Sequence, residues 1–186
     1  RVAALLSGDL DLVTDVPTRD VARLRGNGRI AMLEGPELRT IFLAPDVGSP
    51  ELKHSSVKGR NPFADKRVRH ALSLAIDRAF LQRDTIRGLS LPAALLVAPG
   101  VNGHDPLLDA PPRADIEGAR KLLRDAGYAD GFDVRLNCPN NRFVNDEEVC
   151  QAVITMWARI GVRAQLVAES MSSFIPKVQA FDTSIY

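Results

Sequence analysis

The stretch Asn61-Pro62-Phe63-Ala64-Asp65-Lys66-Arg67-Val68-Arg69-His70-Ala71-Leu72-Ser73-Leu74-Ala75-Ile76-Asp77-Arg78 carries the pattern on which the fold turns. Val68, Ala71, Leu72, Ala75 and Ile76 recur at steps of three and four residues, which places them on one face of a helix. Asp65 precedes that run and can accept the free amide hydrogens of the first turn. Asp77 repeats the signal and predicts a second helix, with Phe80, Leu81 and Ile86 turned inward. Arg67 and Arg69 remain available for ion pairs on the polar side.

Downstream the same alternation of elements continues. Gly88 to Pro112 is proline-rich and irregular, a loop length that commonly serves a surface or a ligand. Asp115 opens a helix with Ile116, Ala119, Leu122 and Leu123 facing a core and Gly127 at its end. Phe132, Val134 and Leu136 alternate as a strand. Asn145 and Asp146 are expected to cap a long helix through Val149, Val153, Met156, Trp157 and Ile160, stopped by Gly161. Val162, Ala164, Leu166 and Ala168 alternate again. Ser172 or Ser173 should cap a last helix before a strand from Asp182 to Tyr186. Helix and strand in regular succession predict an α/β fold.

Upstream, Val2, Leu5 and Leu6 have helical spacing up to Ser7-Gly8, and Leu10 to Val13 reads as a strand. Pro17 and Thr18 open a short helix with Val21 and Leu24 on one face, ended by Gly26-Asn27-Gly28. Ile30 to Leu33 and Leu38 to Leu43 read as two strands separated by a Gly35-Pro36 break. Pro45 to Pro62 lacks periodicity and reads as a connection between two units. The chain opens on Arg1 in what reads as the end of a helix, so truncation at both ends is expected, with any export signal upstream.

Composition narrows the function. With 24 basic and 23 acidic residues the formal net charge is +1, and the basic residues are scattered, which argues against a nucleic-acid partner. No apolar run approaches the roughly 20 residues that span a bilayer. No nucleophile elbow, metalloprotease helix or phosphate loop occurs. His54, His70 and His104 lie far apart and are not spaced as metal ligands. The residues therefore show no catalytic apparatus, and no cofactor is expected.

The Asn61–Arg78 string resembles the hallmark of solute-binding proteins of the dipeptide, oligopeptide and nickel importers. "D-I-E-G-A-R-K-L-L-R-D-A-G-Y-A-D-G-F" at Asp115–Phe132, "N-D-E-E-V-C-Q-A-V-I-T-M-W-A-R-I-G-V" at Asn145–Val162 and "A-L-L-S-G-D-L-D-L-V" near the start resemble further stretches of that family, the later ones in family order. The resemblance implies the mixed-sheet lobe of a two-lobed periplasmic binding protein (type II, cluster C-like) that closes over its ligand by hinge motion. Residues 1–44 would be part of the first lobe, 45–62 the crossover or hinge segment, and 63–186 most of the second, ligand-covering lobe. It also implies the substrate-binding component of an ABC importer, taking a peptide or small solute to permease subunits in the membrane. Such a receptor would be periplasmic or extracytoplasmic, and a monomer when complete. The same fold also occurs as the ligand-sensing domain of cytoplasmic transcriptional regulators, which leaves a second reading open.

The segment Asn137 to Asp146 joins a strand end to a helix start, the position where open α/β sheets bind ligands. Arg142 offers a planar two-donor fork suited to a carboxylate, with Asn141 and Phe143 expected to line the same wall. In dipeptide-binding relatives an arginine in the corresponding loop is similar in placement and pairs with the peptide carboxylate. The alternative is an exposed arginine in a polar loop. Cys138 and Cys150 frame this segment. In an exported protein they would form a disulfide holding Arg142 in place; otherwise they are two independent buried thiols.

Overall fold

A computed structural model describes residues 1–35 and 37–186. Its centre is a parallel pair of strands, β1 (Phe132–Pro139) and β2 (Val162–Glu169). They run in register from Phe132 opposite Val162 to Pro139 opposite Glu169. Parallel neighbours need a crossover, and helix α6 (Asp146–Ala158) supplies it. One face of β1 presents Phe132, Val134, Leu136 and Cys138, all buried, to the helices. The alternation read from the sequence is the cause of that burial.

Helices α3 (Lys66–Ala75) and α5 (Ile116–Asp125) pack on each other, and their apolar faces share one core with this sheet. Each begins as expected: the Asp65 side chain accepts from the Arg67 amide, and the Asp115 side chain from that of Gly118. Val68, Ala71 and Ala75 of α3 and Ala119 and Leu123 of α5 lie in the common core. Phe63, Tyr128 and Phe132 meet edge to face there, with ring centroids 6.1 and 5.3 Å apart. Tyr128 returns onto α5, its amide donating to the Leu123 carbonyl at 2.8 Å. Trp157 of α6 is buried and donates its indole N–H to Leu72 O at 3.0 Å, which ties α6 to α3. Arg67 ion-pairs with Asp65, whereas Arg69 donates to the carbonyls of Phe63 and Ala64.

At the start of the sheet two backbones come almost into contact. A Cβ on Gly131 would lie 1.8 Å from Gly161 O, and Gly131 has φ 70°. Only glycine fits there.

Several expectations need correction. Leu10–Val13, Ile30–Leu33 and Leu38–Leu43 form no strand; Pro36 of the break between the last two lies outside the described residues. Alternating apolar residues report a face that seeks an apolar neighbour, but a strand also needs a backbone to bond. Leu12, Leu33 and Leu38 are instead exposed. Residues 182–186 make bridges rather than a strand: Ile185 pairs with Pro45 and with Leu136. Phe80 is exposed, not inward. The helix that Asp77 caps, α4 (Arg78–Phe80), widens after one turn into a π-helical turn over Leu81–Thr85. The 100° step that would have aligned Phe80 with Ile86 is lost. Helix α7 (Met171–Gln179) begins before Ser172 and Ser173, so neither is its cap. The short helices α1 (Val2–Ser7) and α2 (Thr18–Arg25) form where expected.

Candidate functional site

The segment after β1 is built by side chains that fold it back on itself. Cys138, at the strand end, is bonded to Cys150 in the early turns of α6, with Cα atoms 6.6 Å apart. The bridge closes the loop that contains Arg142. Asp146 is buried and does not act as a simple helix cap. Its carboxylate accepts from the amides of Arg142 (2.9 Å), Phe143 (3.1 Å) and Glu147 (2.9 Å). Asn145, expected to cap α6, makes no capping hydrogen bond. It occupies the left-handed region at φ 59°, a conformation asparagine tolerates, and turns the chain into the helix.

Arg142 is thereby held at the wall of an open cavity of about 2330 Å³, lined mainly by apolar side chains. The cavity runs between the segment of residues 5–45 and the body that carries β1, α6 and α7. Arg142 and Phe143 both line it; Asn141 does not. The Asn141 side-chain Oδ1 instead accepts from the Met171 amide at 2.9 Å, supplying α7 with the cap that its own serines do not. Asn141 thus holds the loop against α7.

Among the described residues Arg142 has no carboxylate within ion-pairing distance. Its guanidinium lies over the Phe143 ring, 5.3 Å from the centroid, and Arg39 reaches the same ring at 5.4 Å. Contacts of this kind contribute about 0.5–1 kcal/mol at exposed sites, enough to orient a side chain while leaving its donors free. Arg39 is neutralised by Glu37 at 3.3 Å; Arg142 is not. Arg78, half-buried in the same wall, donates to Ser73 O and Oγ, and burial alone pulls its guanidinium below the ordinary arginine value.

On β1, Asn137 lines the same cavity, is buried, and donates to Glu169 Oε1 at 3.0 Å. Glu169 also pairs with Lys177 at 2.5 Å. Burial acts to raise the Glu169 carboxyl, but the Lys177 ammonium and the Asn137 amide outweigh it and hold it below the ordinary value. This polar chain fixes α7 to the sheet. Arg39, over the Phe143 ring, and Thr18, bonded to Asn145, also belong to the surroundings of the Arg142 loop. They lie far from it in sequence, and no local pattern marks them.

An anion-accepting guanidinium beside an aromatic ring, on the wall of a large apolar cavity, is equipped to hold a solute that has an acidic end. Among the described residues no group of three or more His, Cys, Asp and Glu is placed to hold a metal ion. No helix among them is long and apolar enough to cross a membrane.

Comparison with known proteins places this geometry. Residues 1–186 match the family model "Bacterial extracellular solute-binding proteins, family 5 Middle". The glutathione-binding protein GsiB of Salmonella typhimurium is 28% identical over 168 residues, which cover 90% of this chain and 30% of that protein. The protein AgaA from A. tumefacien R10, solved with agropinic acid, aligns with TM-score 0.73 and 27% identity, covering 100% of this chain and 35% of that one. The dipeptide-binding protein from Pseudoalteromonas sp. SM9913, solved with Met-Leu, gives TM-score 0.83 at 21% identity, with 100% and 35% covered. This chain thus spans about a third of the length of such relatives. The α/β arrangement around β1 and β2 is that of periplasmic binding proteins, and the chain belongs to the bacterial extracellular solute-binding proteins of family 5.

Proposed function

We propose that this chain forms part of the substrate-binding component of an ABC importer, a receptor that captures a small peptide or related carboxylate-bearing solute and delivers it to a membrane permease. The single observation that supports this most is Arg142, a guanidinium without a carboxylate partner among the described residues, at the carboxyl end of β1 on the wall of the large cavity. Its two-donor fork pairs with the ligand carboxylate, Phe143 packs beside it, and Asn141 keeps the loop seated on α7. The receptor binds and releases its solute without chemical change. Residues 1–44 belong to one lobe, 45–62 to the crossover and 63–186 to the lobe that covers the ligand.

The Cys138–Cys150 disulfide favours work outside the cytoplasm. It weighs against the alternative of a cytoplasmic regulator, and the scattered charge weighs against a nucleic-acid partner. The complete receptor acts as a monomer. Glutathione, named in a relative, and Met-Leu, bound in a structural neighbour, are the first solutes to try. The test is native mass spectrometry of the intact protein, as purified and after addition of either compound. A bound solute carrying a carboxylate is the expected result. A protein that carries none and takes up neither compound would overturn the proposal.

A further inference from the structure

The hydroxyl of Thr18, the first residue of α2, lies at a junction of three segments far apart in the chain. It donates to Asn145 Oδ1 at 2.9 Å and accepts from Arg87 Nη1 at 2.8 Å. A hydroxyl has one hydrogen to give, and both of these bonds form only if that hydrogen points to Asn145. Thr18 is 4% exposed, so water does not compete for the junction. Both partners stand at left-handed backbone positions, Arg87 at φ 56° and Asn145 at φ 59°. Non-glycine residues hold that conformation where surrounding contacts fix it, and Thr18 supplies such a contact to each.

Asn145 precedes Asp146, whose carboxylate gathers the amides of Arg142 and Phe143. The turn at Asn145 therefore sets where Asp146 sits, and Asp146 sets how Arg142 faces the cavity. We propose that Thr18 is a positioning residue for ligand recognition. Through Asn145 it couples the segment of residues 1–44 to the loop that presents Arg142, with Arg87 bracing the junction from the turn that follows Leu81–Thr85. This inference rests on the reading of Arg142 as the ligand anchor. Its consequence is regulatory: a shift of α2 relative to the body releases Asn145 and loosens the Arg142 loop, so capture of the solute is tied to the arrangement of the two segments.

The test is residue-resolved amide hydrogen exchange on the intact protein, comparing wild type with Thr18→Val and Thr18→Ser. Valine keeps the shape and removes both hydrogen bonds; serine keeps the hydroxyl. Loss of one ordinary hydrogen bond predicts about tenfold faster exchange at the Arg142 and Phe143 amides in Thr18→Val. Exchange at Leu136 within β1 should be unchanged, and Thr18→Ser should restore wild-type protection. Unchanged exchange at Arg142 and Phe143, or an equal rise at Leu136, overturns the proposal. Should Thr18→Val fail to fold, Thr18→Ala decides by the same readout: faster local exchange supports the coupling and unchanged exchange contradicts it. No ligand is required, so failure here is distinct from a wild-type protein that binds no solute.

Discussion

The carboxylate of Asp146 accepts the amide hydrogen of Arg142 at 2.9 Å, four residues back along the chain, from a position that is itself buried. The residue that presents the guanidinium is thus held by its backbone, which leaves the side chain free to meet a ligand. Asp146→Ala would remove the acceptor of the Arg142, Phe143 and Glu147 amides, and hydrogen bonds to a charged group contribute about 1.5–3 kcal/mol. We expect a loss of that size in urea denaturation, together with weaker solute binding. A variant with wild-type stability and affinity would show that the loop is held by other contacts.

Removing the Cys138–Cys150 bridge should destabilise the protein through the unfolded chain, which regains the freedom of the closed loop. For a separation of 12 residues the expected loss is about 3 kcal/mol. Denaturation of Cys138→Ser/Cys150→Ser beside wild type measures it, and a reducing agent should lower wild type alone.

Gly131 faces the Gly161 carbonyl so closely that no side chain fits without moving one backbone. Gly131→Ala should cost about 3 kcal/mol or more, by overpacking at a positive φ. The thermal midpoint reads this directly, and a fall no larger than that of an exposed alanine substitution would contradict the packing described.

The Glu169 carboxyl, held below its ordinary value of 4.5 by Lys177 and Asn137 against the opposing effect of burial, makes a signed prediction. A carboxyl whose value is lower folded than unfolded adds stability above the unfolded value, and that stability is lost as the pH falls through the folded one. Between pH 6 and pH 3, wild type should therefore lose more stability than Glu169→Gln. Parallel curves from denaturant titrations at the two pH values would refute the assignment.

The sequence displayed most of the body and little of the site's support. Asp65 and Asp115 cap as read because the whole signal lies within three residues of the helix it starts. Val134 and Leu136 are buried as read because their alternation reports a sheet face. Asn145 and Asp146 have the same local signature, yet one turns the chain and the other binds the loop behind it. That outcome depends on Thr18, more than a hundred residues away. Likewise α7 is capped by Asn141, which no window around Ser172 contains. Arg142 was legible as an arginine in the loop after a strand end, open to two readings, but the Phe143 ring that it shares with Arg39 was not. Local chemistry writes the elements; long-range pairing settles which polar groups remain for a ligand.

On the reading proposed above, Arg142 anchors the acidic end of a captured solute. Isothermal titration of the intact protein with the carboxylate solute it carries, in wild type, Arg142→Lys and Arg142→Ala, tests this most directly. Loss of a charge-assisted pair of about 3 kcal/mol predicts roughly hundredfold weaker binding for Arg142→Ala, with partial recovery in Arg142→Lys. Equal affinity in wild type and Arg142→Ala would show that Arg142 does not hold the solute.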